Sequence, residues 1–143
     1  MPHADLGDRR VFYEEYGSGD PVVLVSGLGA DHSAWALQVE DLRESLRVVV
    51  LDNPGVGRTE GAGGPYTTGL FADVVVSLLR HLEIDRAHVV GASMGGVIAQ
   101  QIAVRHPAVV RSLAVHCPWW TADPYTVSLL RSWQTIARSA GML

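Results

Sequence analysis

Hydrophobic residues occur in two kinds of segment that alternate along this chain. Short runs of consecutive apolar residues are typical of strands buried on both faces of a sheet, and they lie at 22–25, 48–51, 87–90 and 113–115. Residues 9–16 alternate between apolar and polar in the manner of an earlier strand. Between the runs, apolar residues recur at the spacing of amphipathic helices.

Three helices are predicted between these strands, each from an apolar face and a capping or terminating residue. The first follows a cap at Ser33, and the second a cap at Thr67 or Thr68. The third covers residues 94–105 and ends before Pro107. The apolar faces are Trp35, Val39, Leu42 and Leu46 in the first helix, and Phe71, Val74, Val75, Leu78, Leu79 and Leu82 in the second.

Alternation of strands with helices predicts the α/β fold class, with a mostly parallel sheet and helices on both faces. Loops at the carboxyl ends of such strands form the functional edge of the sheet. Three glycine-rich loops fall there, at 26–29, 52–57 and 91–95, and we expect them to converge. A further glycine-rich loop is predicted at 61–65.

The last segment of the chain predicts one more helix. Asp123 and Pro124 are typical of an N-cap and a first helical residue, and Gly141 closes the segment. Its apolar face comprises Leu129, Trp133, Ile136, Ala137 and Ala140.

Composition narrows the class of protein. The 143 residues are 48% hydrophobic and 18% charged, with a formal net charge of −4, as in a globular domain. All 11 basic residues are scattered arginines, so we expect neither nucleic acid nor a membrane as a partner. A single cysteine, Cys117, excludes an intrachain disulfide and fits a reducing compartment. With no signal-peptide pattern at the amino terminus, we predict a cytoplasmic protein.

Ser93 is the strongest candidate for chemistry. It stands two residues from Gly91 and from Gly95, between an apolar strand and a helix, the context that a nucleophilic serine on a sharp turn requires. The Met94 N–H would lie at the helix N-terminus, and the Leu28 N–H in the loop after the strand at 22–25. Both could donate to a developing oxyanion. A phosphate- or dinucleotide-binding turn is the alternative, although its fingerprint requires a glycine at position 93.

Together these motifs resemble the α/β-hydrolase superfamily, in its branch of soluble esterases and enol-lactonases. The resemblance covers about residues 9–120. It comprises the strand and loop at 22–29, the Asp-x-x-Gly-x-Gly segment at 52–59, the strand and turn at 87–96, and the strand at 111–115. Ser26 stands where the family often has histidine.

The resemblance implies an ester or lactone hydrolase that forms an acyl-enzyme on Ser93, with no metal or organic cofactor. It implies a core at residues 1–118, a truncated α/β-hydrolase fold, and the start of a cap at 119–143. His32, Trp119 and Trp120 are candidates to line the pocket, although we favour for His32 a role at the start of the first helix. The segment at 52–59 would brace the site. The family's acid and histidine come later along the chain, so we expect both beyond Leu143 and interpret the chain as a fragment.

No other residue of the chain is a convincing base. His3 is expected to be solvated, His81 and His88 lie toward the amino end of the sheet, and His106 ends a helix. His116, at the correct end of a strand, is the weak exception, and Cys117 is interpreted as a small apolar residue.

Asp123 could be the acid after the strand at 111–115, but we interpret it as a helix cap.

Two other functions stay open from the sequence. One is a carbon–carbon bond hydrolase or perhydrolase relative, and the other is a non-catalytic module that retains a hydrolase pocket. A small-molecule ester or lactone is the expected ligand in the main interpretation. The strand at 111–115 would lack a partner on its outer edge, so self-association through that edge is also expected.

Overall fold

The computed structural model describes residues 3–61 and 65–141. Within these ranges, six strands form a sheet in the order β1-β2-β4-β3-β5-β6. Strands β3, β4, β5 and β6 are parallel, whereas β1 and β2 pair in antiparallel fashion at one edge. The strands are His3–Asp5 (β1), Arg10–Tyr16 (β2), Asp20–Val25 (β3), Leu46–Leu51 (β4), Ala87–Ala92 (β5) and Val110–His116 (β6).

Four α-helices connect or follow these strands: Ala36–Leu42 (α1), Thr68–His81 (α2), Met94–Arg105 (α3) and Pro124–Ser139 (α4). Thr67 caps α2, because its side chain accepts a hydrogen bond from the Leu70 N–H. The predicted bounds of α3 are confirmed. Asp123 caps α4 with a hydrogen bond of 2.7 Å from the Thr126 N–H, as predicted.

Helices cover both faces of the sheet, which confirms the predicted fold class. On one face, α2 and α3 pack on alternate strand residues such as Val23, Val49 and Val89. On the other face, α1 and Trp35 cover a smaller cluster around Leu24 and Val50. The central strands are therefore buried on both sides, which is why their sequences are continuous apolar runs.

The first helix differs from its prediction at both ends. Its cap is Asp31 and not Ser33, because the Asp31 carboxylate accepts the Ser33 N–H and begins a 3₁₀ turn at His32–Trp35. Leu46 does not belong to the helical face either, since it is the first residue of β4. An apolar residue at helical spacing can equally start a buried strand, which periodicity alone does not separate.

The amino terminus forms a strand that the sequence did not predict. In β1, Ala4 pairs with Val11 and is fully buried. The His3 ring packs edge-on against Phe12, with 5.3 Å between ring centroids, so its expected solvation is wrong. Three residues are too few for a periodic pattern, and pairing with β2 supplies the order that local sequence lacks.

The opposite edge of the sheet is much less covered. From Arg111 to His116 every residue of β6 is exposed, and α4 has no buried residue. Among the described residues β6 pairs with β5, and the free outer edge stays a prediction. The loop predicted at 61–65 falls mostly outside the described residues. No helix in the described part of the chain is long and apolar enough to cross a membrane.

Candidate active site

Three loops meet at the carboxyl ends of the parallel strands: the β3 loop (residues 26–31), the β4 loop (residues 52–59) and the β5 turn (residues 91–96). A Cβ placed on Gly27 would lie 3.3 Å from Ser93 Cβ, so the β3 loop touches the β5 turn. The Asn53 side-chain amide donates to the Ser26 carbonyl at 3.3 Å and joins the β4 loop to the β3 loop. The predicted convergence of the loops is confirmed.

Ser93 has an unusual backbone conformation. Its φ of 53° and ψ of −121° place it in a region that L-residues rarely adopt. Such a conformation costs about 1–3 kcal/mol and persists only where the surroundings impose it. Here the Ser93 N–H donates to the His116 carbonyl at 2.9 Å, and the Ser93 carbonyl accepts from the Gly96 N–H at 2.9 Å. The serine is therefore held at the apex of the turn from both sides.

Glycines allow the strand and the helix to pass in backbone contact around this turn. A Cβ on Gly95 would lie 2.0 Å from the Val25 carbonyl oxygen. A Cβ on Gly91 would lie 2.1 Å from the Gly95 carbonyl oxygen. Neither approach leaves room for any side chain, so the spacing of glycines around Ser93 is a packing requirement.

The two backbone N–H groups predicted to serve Ser93 belong to Leu28 and Met94. Met94 is the first residue of α3, where N–H groups lack helical acceptors and the helix dipole favours negative charge. Leu28 follows Gly27, which lies against the serine. Across residues 3–61 and 65–141, neither N–H donates a backbone hydrogen bond. Their role as oxyanion donors stays a prediction.

Asp52 connects the β3 loop to the β4 loop through hydrogen bonds. It is fully buried, and its Oδ1 accepts the His32 backbone N–H at 2.8 Å and the His32 ring Nδ1 at 2.7 Å. Its Oδ2 accepts the Arg58 N–H at 2.8 Å. A Cβ on Gly57 would lie 2.3 Å from that Oδ2. One buried carboxylate thus fixes the start of the first 3₁₀ turn and the end of the β4 loop.

Asp31, His32 and Asp52 could be read as a metal site, since each offers a ligand atom within 4.8 Å of the others. However, the oxygen and nitrogen atoms that would bind a metal already take part in hydrogen bonds. Both Asp52 oxygens accept hydrogen bonds, and Asp31 Oδ1 accepts from the Ser33 N–H and hydroxyl. The Ser33 hydroxyl, followed by its N–H, lowers the pKa of the Asp31 carboxyl. We interpret the group as a hydrogen-bond network.

The other histidines lie in a variety of environments. His88 pairs with the Ser112 hydroxyl at 2.7 Å, and His106 with Asp73 at 2.7 Å. His81, the last residue of α2, is exposed. His116 serves the turn through its carbonyl, while its side chain is exposed. In the described part of the chain, no side chain hydrogen-bonds to Ser93 Oγ.

The groove that His32 lines includes neither Trp119 nor Trp120. His32 faces a groove of about 340 Å³ that Glu14, Tyr16 and Arg43 also line. Trp119 is half-buried and packs on the core under α2 and α3. Trp120 is 90% exposed, so it covers nothing among the described residues. Their joint role as a pocket lining stays a prediction.

The pairing of His32 with Asp52 was not predicted from the sequence. A signal was available: Asp52 directly follows a strand buried on both faces, and a buried carboxylate requires donors. His32 was interpreted as a residue at the start of the first helix or as a pocket residue. Asp52 stands twenty positions later, and nothing local connects the two.

Comparisons with known proteins agree with this geometry. The family model for the alpha/beta hydrolase fold matches residues 20–140. A protein of Azorhizobium caulinodans named as a carbamate hydrolase, RutD, is 34% identical over 125 residues, which cover 87% of this chain and 47% of the relative. A similar protein of Serratia proteamaculans with the same name is 35% identical over 92% of this chain and 51% of its own length.

Solved structures give the same result. An enol-lactonase from Burkholderia xenovorans is 34% identical, with a TM-score of 0.76 over 78% of this chain and 45% of that one. Est816, described as degrading N-acyl homoserine lactones, is 32% identical, with a TM-score of 0.79 over 82% of this chain and 45% of that one. The chain spans about half the length of the curated relatives that it matches.

Proposed function

We propose, from the premise that this chain belongs to the α/β-hydrolase family, that it carries the nucleophile and oxyanion site of a serine hydrolase. The substrates would be carboxylic esters or lactones, and the acyl-enzyme would form on Ser93. The observation that carries the proposal is the strained backbone of Ser93, held at φ 53° between β5 and α3. Strain of this kind at a strand-to-helix turn projects a hydroxyl away from the backbone.

The chemistry assigned to the site begins with attack on the substrate carbonyl. Ser93 Oγ forms a bond to the carbonyl carbon, and the π electron pair moves to the carbonyl oxygen. The N–H groups of Leu28 and Met94 donate to that oxygen, which carries the negative charge of the tetrahedral intermediate. Collapse of the intermediate breaks the bond to the leaving oxygen, which takes up the proton removed from Ser93 and leaves as the alcohol. In a lactone that alcohol remains attached to the acyl group. Water then cleaves the ester formed on Ser93.

A base must accept the Ser93 proton before or during attack. No described side chain hydrogen-bonds to Ser93 Oγ, so the base is not assigned to any residue here. Without its base, such a site keeps about 10³–10⁴-fold acceleration over water from oxyanion donors and binding. Added imidazole can supply a base from solution, which makes the site testable in this chain.

The substrate class follows from the family comparison as a proposal. Lactone chemistry appears in the names of two solved neighbours, and carbamate hydrolysis in the name of the RutD proteins. All three substrates present a carbonyl to a serine. We place lactones and esters before carbamates, because nitrogen donation makes a carbamate carbonyl less electrophilic. We also propose a small-molecule substrate and a cytoplasmic location.

A second candidate function is a non-catalytic binding module. The observation that favours it is the lack, among described residues, of a hydrogen-bond partner for Ser93 Oγ. Carbon–carbon bond hydrolysis is a weaker alternative, which rests on a meta-cleavage product hydrolase that is 30% identical with a TM-score of 0.74. A perhydrolase reaction would use the same serine with peroxide in place of water.

The test is serine-directed labelling by a fluorophosphonate in the presence of imidazole. Ser93 Oγ would bond to phosphorus, fluoride would leave, and imidazole would take the proton. We expect an adduct on the peptide that contains Ser93, no adduct in Ser93→Ala, and an unchanged adduct in Ser112→Ala. Equal labelling of wild type and Ser93→Ala would refute the proposal. Lactone binding by calorimetry without any labelling would favour the binding module.

A panel of one lactone, one phenyl ester and one carbamate then tests the substrate class. Rates are measured with imidazole present, and Ser93→Ala is subtracted as the blank. We expect lactone and ester turnover to exceed carbamate turnover. Preferred carbamate turnover would refute the assigned class while leaving the serine mechanism in place.

A further inference from the structure

The His32 ring lies between two carboxylates that come from different strands. Its Nδ1 is 2.7 Å from Asp52 Oδ1, at the end of β4, and its Nε2 is 3.7 Å from Glu14 Oε2, on β2. Because Asp52 already accepts the backbone N–H groups of His32 and Arg58, the ring Nδ1 is assigned as a third donor. The Phe12 ring packs against the imidazole, with 4.9 Å between centroids.

The β3 loop connects this ring to the Leu28 amide by a short and closed path. The Ala30 N–H donates to the Gly27 carbonyl at 3.2 Å, so the loop folds back over Leu28. The Ser26 hydroxyl donates to the Asp31 carbonyl at 3.0 Å and closes the loop at its base. His32 is the next residue. Because the loop is closed by these hydrogen bonds, a displacement of the His32 ring should also displace Leu28.

On the far side of the ring, Glu14 has its own support. The Tyr16 hydroxyl donates to the Glu14 carboxylate. This hydrogen bond raises the pKa of Tyr16. The Arg43 guanidinium lies over the Tyr16 ring, 5.6 Å from its centroid. The imidazole is thus hydrogen-bonded to one carboxylate in the core and faces another across 3.7 Å at the surface groove.

We propose that His32 is a positioning residue: its ring, held between Asp52 and Glu14, fixes the β3 loop so that the Leu28 N–H faces Ser93. The inference rests on the proposed function only where it gives that N–H an oxyanion role. The positioning itself concerns the order of the loop, which can be measured without turnover.

Two substitutions separate the hydrogen bond from the bulk of the ring. His32→Leu removes both ring nitrogens at similar volume. His32→Asn keeps an N–H donor near the position of Nδ1, so it should restore the bond to Asp52. His81→Leu is the matched control, because His81 is exposed at the end of α2 and contacts neither loop.

The first readout is amide hydrogen exchange in the full chain, followed by mass spectrometry of the peptides over 26–32, β3 and β5. Loss of one buried charged hydrogen bond should speed exchange in the β3 loop by about tenfold in His32→Leu. We expect His32→Asn and His81→Leu to match wild type, with β3 and β5 unchanged in every variant. Unchanged loop exchange in His32→Leu, failure of rescue in His32→Asn, or equal acceleration in β3 and β5 would each overturn the proposal.

The second readout is the rate of fluorophosphonate labelling at Ser93 with imidazole present. We expect it to fall in His32→Leu and to recover in His32→Asn. Labelling that is equal in wild type and His32→Leu, despite a loosened loop, would overturn the link between loop order and the Leu28 N–H. If wild type is never labelled while exchange behaves as expected, the proposed function fails and the positioning role stands.

Discussion

The middle of the sheet and its β6 edge differ sharply in how their residues are used. Strands β3 and β4 are buried on both faces over most of their length. The loops after β3 and β5 meet in close contact around Ser93. Strand β6 and helix α4 also carry apolar residues, yet neither contains a buried residue and most of their residues are exposed. The contrast teaches that hydrophobic pattern alone predicts an element, whereas the neighbours decide whether that element contributes to stability.

The largest expected effect compares a leucine from each region. Leu24 on β3 is fully buried, whereas Leu113 on β6 is 41% exposed. Leu24→Ala should cost about 2–5 kcal/mol of unfolding free energy through lost burial and a residual cavity. Leu113→Ala should cost less than about 1 kcal/mol. Urea unfolding of both variants measures the difference, and equal costs would show that β6 is packed in solution.

The second prediction tests the unpaired edge directly. An exposed apolar edge strand invites pairing with another copy, and a lysine on it opposes this. Val115→Lys should weaken self-association of the chain by about tenfold, equivalent to about 1.4 kcal/mol. Val104→Lys, on the exposed face of α3, is the matched control and should change nothing. Sedimentation velocity over a concentration series measures the association of wild type and both variants. A monomeric wild type would refute the expected association.

The third prediction concerns the strain at the centre. Glycine tolerates the φ of Ser93, but it also costs about 0.5–1 kcal/mol of chain entropy. Ser93→Gly should therefore be more stable than Ser93→Ala by about 1 kcal/mol, since both lack the hydroxyl and only alanine keeps the strain. Thermal unfolding of the two variants measures how much the backbone strain at position 93 lowers stability. Equal stability would mean that the turn relaxes when the hydroxyl is removed.

The smallest expected effects concern the helix caps of the two regions, Asp31 near the site and Asp123 at the β6 edge. The effect at Asp31 depends on pH. Because the folded-state pKa of Asp31 is lowered, its charge stabilises the fold at neutral pH. That contribution disappears as pH falls below about 4 and through the lowered pKa. Asp31→Asn should thus lose about 0.5 kcal/mol at pH 7 and less at pH 2, in urea unfolding. A loss of equal size at both pH values would exclude the charge as its cause.

At the β6 edge, Asp123 provides the counterpart. The Thr126 N–H, followed by its side chain, lowers the pKa of the Asp123 carboxyl. Since α4 has no buried residue, Asp123→Asn should reduce helical content without moving the urea midpoint. A shifted midpoint would indicate that α4 unfolds together with the sheet.

Local patterns predicted most of the fold but not the contacts between distant loops. The parallel strands, the bounds of α3 and the cap at Asp123 were all predicted from the sequence, because each depends on residues close in the chain. Strand β1 was not predicted, because it forms by pairing with β2. The cap at Asp31 was not predicted either, because Asp31 and Ser33 are both suitable caps and the structure uses the Asp31 carboxylate. At the site, glycine spacing predicted the turn around Ser93. The hydrogen bond between His32 and Asp52 joins residues twenty positions apart, and local sequence patterns do not show which distant residues meet.

The most direct test of the account observes the two amide donors themselves. The chain is labelled with ¹⁵N and a phosphonyl adduct is formed on Ser93, which places an oxygen where the oxyanion would lie. Amide spectra are recorded before and after. We predict that the amide protons of Leu28 and Met94 both move downfield as they donate to that oxygen. A shift at Met94 with none at Leu28 would contradict the account, because the β3 loop would then not serve the serine.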